Sequence, residues 1–93
     1  MVFQPMLIRD IATRGVTVET RFPLHLDSLH EVRMTLGNVS IVLKGRVVHS
    51  RISDVDQDIV AYLSGLEFVE VPARSLEAIQ EFLAGITADR LGG

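Results

Sequence analysis

Two hydrophobic periodicities meeting at Pro72 restrict what this chain can fold into. Before it, apolar and polar residues alternate in twos, clearly in Val16-Thr17-Val18-Glu19-Thr20 and Val32-Arg33-Met34-Thr35-Leu36, the pattern of strands with one face buried. After it, Leu76, Ile79, Phe82, Leu83 and Ile86 fall on one helical face, with Arg74, Glu77 and Glu81 off it. Strands come first and one helix last. That order excludes a parallel α/β fold and predicts an all-β antiparallel barrel of five to six strands with one C-terminal helix on the sheet.

The strands are read from the breaks between them. Pro5 cannot donate to a ladder and marks a strand start or edge ahead of Met6 to Arg9. Residues 21–30 hold Pro23, Asp27 and Ser28 among leucines and read as an irregular connection. Gly37-Asn38 is the clearest hairpin signal, because both residues tolerate positive φ. The return strand from Ile41 to His49 places Ile41, Leu43, Gly45, Val47 and His49 on one side, with Gly45 expected at a bend or bulge. Asp54, Asp56 and Asp58 alternate in the next segment, but a calcium loop would also need glycine at its sixth position and glutamate at its twelfth. A solvated acidic hairpin tip accounts for them. Residues 59–71 are expected to form the longest strand, and Tyr62, Phe68 and Phe82 to lie in the core. Gly85-Ile86 resembles a left-handed helix cap, so the ordered core is expected over about residues 5–86, with 87–93 a frayed tail.

With 93 residues there is room for one core, so residues 1–93 are read as a single domain. The chain has no cysteine, which excludes disulfides and thiolate metal sites and fits a reducing cytoplasm. No apolar run approaches the roughly 20 residues of a membrane helix. A net charge of −3 with few aromatics argues against DNA or RNA as partner. His25, His30 and His49 lack metal-ligand spacing, so no metal is expected. No nucleophile–base pattern points to an enzyme.

One turn carries the functional signal. In Asp10-Ile11-Ala12-Thr13-Arg14-Gly15, an Asp side chain can cap backbone N–H groups and Gly15 can take a positive φ. Exposed amides beside Arg9 and Arg14 make a candidate anion site, although a plain hairpin turn explains the same residues.

Three segments resemble the PilZ family. Asp10 to Gly15 is similar to its D/N-x-S-x-x-G motif; Leu43-Lys44-Gly45-Arg46-Val47-Val48 is similar to its middle strand; Ser64-Gly65-Leu66-Glu67-Phe68 is similar to its late strand. The resemblance implies a regulatory module of bacterial cyclic di-GMP signalling, with Asp10, Ala12, Arg14 and Gly15 at the nucleotide-binding position. It also implies an Arg-x-x-x-Arg segment upstream, which the residues before Asp10 do not contain, and a serine where Ala12 stands. Losing one neutral hydroxyl bond costs about 0.5–1.5 kcal/mol. Losing two charge-assisted arginines costs about 3–6 kcal/mol, or roughly two to four decades of affinity.

The expectation is therefore a module with little or no cyclic di-GMP affinity and no other cofactor, acting through protein contacts. The alternative is a receptor using Asp10, Gly15 and a substitute arginine such as Arg14. Alternation points Arg9 away from Asp10, whereas Arg46 and Arg51 stand as further candidates across the barrel mouth. The short segment before the motif leaves little room for the family's additional strand, which predicts a homodimer or a partner strand at that edge, helped by Met1-Val2-Phe3.

Overall fold

The computed structural model describes residues 6–56 and 59–92. Five strands precede one helix: β1 (Leu7–Ala12), β2 (Gly15–Thr20), β3 (Leu29–Leu36), β4 (Val39–Asp56), β5 (Ile59–Val69) and α1 (Ala73–Gly92). They form one antiparallel sheet in the order β1-β2-β5-β4-β3, curled into a half-barrel. Every pairing is antiparallel because tight hairpins join three of the four pairs, and β5 returns to lie beside β2.

Alternation decides which face is buried. Val16 and Val18 of β2, Val32, Met34 and Leu36 of β3, Ile41, Leu43 and Val47 of β4, and Leu66 and Phe68 of β5 all point inward. Ile79 of α1 closes this concave face with no exposed surface, and Phe82 and Leu83 pack beside it. Complete burial of Ile79 contributes about 1.5–3 kcal/mol, which for a single helix on an open half-barrel is a large share of its docking. Pro72 starts the helix: its carbonyl accepts the first helical bond from Leu76 N–H at 3.0 Å, where its missing N–H costs nothing. Tyr62 is half-buried at the rim, and Phe3 lies outside the described residues.

Several local expectations are corrected. Gly45 sits in register opposite His30 and Phe68; the irregularities of the β4–β5 ladder fall instead between Val47 and His49 and between Ile52 and Asp54. Gly45 is small because Leu66 packs on it, with side-chain atoms 3.0 and 3.1 Å from where a Cβ would stand. The return strand does not end at His49: β4 continues to Asp56 and is longer than β5, and Asp56 pairs with Ile59 at the end of the expected acidic hairpin, whose Asp58 lies outside the described residues. Gly85 is not a cap, since the backbone remains helical to Gly92; an isolated glycine costs a helix about 1 kcal/mol relative to alanine without ending it. Gly37, by contrast, has φ +61° at the first position of its two-residue turn, the glycine-favouring place of a type II′ hairpin.

Candidate functional site

The turn Thr13-Arg14 joins β1 to β2, with Ala12 opposite Gly15. Backbone bonding pins it to the next strand, Phe68 N–H donating to the Arg14 carbonyl at 2.8 Å. Gly15 does not take the positive φ expected of it. It is needed for close approach: a Cβ there would stand 2.5 Å from the Leu66 carbonyl oxygen, a backbone atom that cannot swing aside. The motif glycine thus lets β2 and β5 come together beneath the turn.

Register places the rest. Two rows cross the outer face of the sheet, one of Arg46, Glu67, Gly15 and Ala12, the next of His49, Gly65, Thr17 and Asp10. Between them lies a shallow cavity of about 270 Å³, lined by Asp10, Ala12, Arg14 and Gly15 with Thr17, Val48, His49, Gly65 and Glu67 among its neighbours. All four residues singled out from the sequence therefore meet at one surface.

The charges of this cavity run against a phosphate grip. Asp10, Glu67 and Arg14 line it, and with Arg46, which faces Glu67 from the adjoining row, the two carboxylates and two guanidiniums sum to zero, so no net positive charge is offered to a phosphate. Arg46 stands in the adjoining row but faces Glu67, Nη2 to Oε2 at 3.9 Å. Arg9 was expected on the opposite face from Asp10. A register shift between Ile8 and Asp10 instead brings it to the outer side, where Nε lies 3.6 Å from Glu19 Oε1. A bulge of this kind turns two successive residues the same way, which simple alternation does not foresee. Arg51 lies elsewhere, beside a second cavity with His25, Ile52 and Tyr62.

His49 is the residue that the sequence misplaced. It was counted on the same side as Val47, which proves to be the buried one, but the bulge at Val48 reverses the alternation and leaves His49 on the outer face opposite Gly65. The only prior signal was the glycine itself, since a small residue mid-strand marks close approach.

Two sheet edges remain. β1 and β3 are the outer strands, and a cavity of about 540 Å³ separates them, lined by Ile8, Ile11, Leu36, Phe82, Leu83 and Ile86 among others. On β1, Leu7 and Ile8 are exposed. Among the described residues no three His, Cys, Asp or Glu side chains come together as metal ligands, and no helix is long and apolar enough to cross a membrane.

Comparison with known proteins adds the family. No curated protein and no solved structure matches the chain significantly. The family model of the PilZ domain matches residues 3–85, which spans all five strands and the helix through Gly85. PilZ domains are regulatory and binding modules of cyclic di-GMP signalling rather than a class of enzyme. With the motif turn, the late glycine-containing strand and the helix-capped half-barrel all in place, this chain belongs to the PilZ domain family.

Proposed function

We propose that this PilZ domain works chiefly through contacts with protein, in the cytoplasm, and that its nucleotide affinity is weak. The observation that carries this reading is the charge of the motif cavity. A cyclic dinucleotide brings two phosphate charges, whereas the lining offers one arginine against Asp10 and Glu67. The other outer-face arginines near it are each beside a carboxylate, Arg46 with Glu67 and Arg9 with Glu19. Ala12 also supplies no hydroxyl where the family pattern has one. The β1 edge, which pairs with no further strand among the described residues and carries the exposed Leu7 and Ile8, supports strand pairing with a second copy or a partner protein.

A second reading, a receptor that grips the nucleotide through Arg14, is favoured by one fact: Arg14 lines the same cavity as Asp10 and Gly15. Calorimetric titration with cyclic di-GMP decides between them, paired with sedimentation over a wide range of protein concentration. The expected result is weak or no heat, and a mass that rises with concentration. Micromolar or tighter binding that Asp10→Ala abolishes would replace the first reading with the second.

A further inference from the structure

We infer that β1 pairs antiparallel with β1 of a second copy of this chain, in the register that sets Arg9 opposite Asp10 of the other copy. This rests on the protein-contact reading of the edge and names its occupant. The segment Leu7-Ile8-Arg9-Asp10-Ile11-Ala12 is complementary to its own reverse. Laid against its copy about a two-fold axis between Arg9 and Asp10, it sets Leu7 beside Ala12, Ile8 beside Ile11 and Arg9 beside Asp10, each contact occurring twice. Opposite charges and apolar residues then stand directly across the ladder, where side-chain pairs stabilise a sheet.

The bulge in β1 makes this register possible. In an unbroken strand neighbouring residues face opposite ways, so setting residue 9 across from residue 10 would join side chains of different faces. Here the shift between Ile8 and Asp10 leaves both charged residues on the outer face: Asp10 is in register with Thr17 and lines the motif cavity, and Arg9 faces Glu19. Ile8 and Ile11 are in register with the buried Val18 and Val16 and line the cavity that Phe82 and Leu83 of α1 also line. Leu7 and Ala12, in register with Glu19 and Gly15, turn outward again. From Leu7 to Ala12 the order is outer, inner, outer, outer, inner, outer. It reads the same from either end, so every pair shares a face.

Backbone groups agree with the side chains. The Arg14 carbonyl faces β5, where it accepts from Phe68 N–H, so the next residue, Gly15, turns its own groups toward β1. Alternation along β2 then makes Ile11–Val16 and Ile8–Val18 the pairs without mutual hydrogen bonds. The N–H and C=O of both isoleucines therefore point to the open edge, where Ile8 of one copy meets Ile11 of the other. The contact also covers Leu7 and Ile8, which are 55% and 40% exposed. α1 packs mainly over β3 and β4, away from this edge. One six-residue strand makes a small interface, so the pair dissociates on dilution. Asp10 thereby gains a partner that requires no nucleotide.

The test is sedimentation equilibrium of the full chain from micromolar to millimolar concentration, with circular dichroism to verify folding. A monomer–dimer equilibrium that weakens with added salt is expected. Arg9→Asp and Asp10→Arg each turn both cross-strand charge pairs repulsive and should weaken self-association by about tenfold or more. An equal mixture of the two variants should associate again, because each carboxylate of one copy then faces a guanidinium of the other. A parent chain that stays monomeric at millimolar concentration overturns the second copy as occupant of the edge. It leaves the protein-contact reading standing, since that reading falls to micromolar cyclic di-GMP binding instead. A dimer indifferent to both charge changes, or folded variants that fail to pair on mixing, overturns the register. If either variant does not fold, Arg9→Glu and Asp10→Lys take their places with the same expectations.

Discussion

Replacing Gly15 by alanine tests the claim that the motif glycine serves close approach rather than backbone freedom. Its φ is not left-handed, so alanine meets no backbone penalty there. What it meets is the Leu66 carbonyl oxygen 2.5 Å from the new Cβ, where real Cβ contacts begin at 3.0 Å and become ordinary only beyond 3.4 Å. The strands must separate by 0.5–0.9 Å, the differences 3.0 − 2.5 and 3.4 − 2.5. The obstruction is backbone in the central β2–β5 ladder, bracketed by the Gly15–Glu67 and Val16–Leu66 pairs and by the Phe68–Arg14 hydrogen bond. Overpacking of this kind costs about 1–3 kcal/mol. For a domain of this size, each kcal/mol lowers the melting temperature by about 4–8 °C, so calorimetry or urea unfolding followed by circular dichroism resolves the effect easily. Gly37→Ala is the comparator: nothing lies within 4 Å of its Cβ, and its whole cost, about 1–2 kcal/mol, comes from the +61° φ. A loss under about 0.5 kcal/mol for Gly15→Ala, below the range for overpacking, would refute the close approach of β2 to β5 at the turn.

Two further outcomes follow from packing. Gly65→Ala should destabilise the chain by about 1–3 kcal/mol when His49 is present and by less when His49 is also alanine, because the obstacle is a side chain that the second change removes; a double-mutant cycle by urea unfolding with no coupling would contradict the ring's position over Gly65. Ile79→Ala should cost about 2–5 kcal/mol by thermal unfolding, since Ile79 is wholly buried where α1 meets the sheet, and a loss under about 1 kcal/mol would mean that the helix is not docked as described.

The departures from sequence expectation share one cause. Period-two reading assumes an unbroken pleat, and it served well for β2, β3 and the first half of β4, where Val16, Val18, Val32, Met34, Ile41 and Leu43 all bury as their spacing implies. It failed at the bulges of Arg9 and Val48. The shift at Arg9 brought that residue to Glu19, and the shift at Val48 separated His49 from the face of Val47, with which it had been grouped, and set it beside the motif turn. Bulges arise from the fit between paired strands, so a strand's own residues do not announce them. Helix ends show a related limit, for Gly85-Ile86 carries local capping chemistry that the rest of the helix overrides.

Some of this protein was determined by its sequence alone. Alternation, the Gly37-Asn38 turn, Pro72 and the helical period after it decide strands, hairpin and helix, because each acts through neighbours a few residues apart. The motif turn from Asp10 to Gly15 was legible for the same reason. Strand order, the approach of β2 to β5 and the rows that bring Asp10 and Thr17 into line with Gly65 and His49 were decided only by the tertiary structure. These depend on contacts between residues as distant as Asp10 and Gly65, whose register no local pattern encodes. The charge of the cavity belongs there too, since Glu67 counts against a phosphate only once β5 is seen to lie beside the turn.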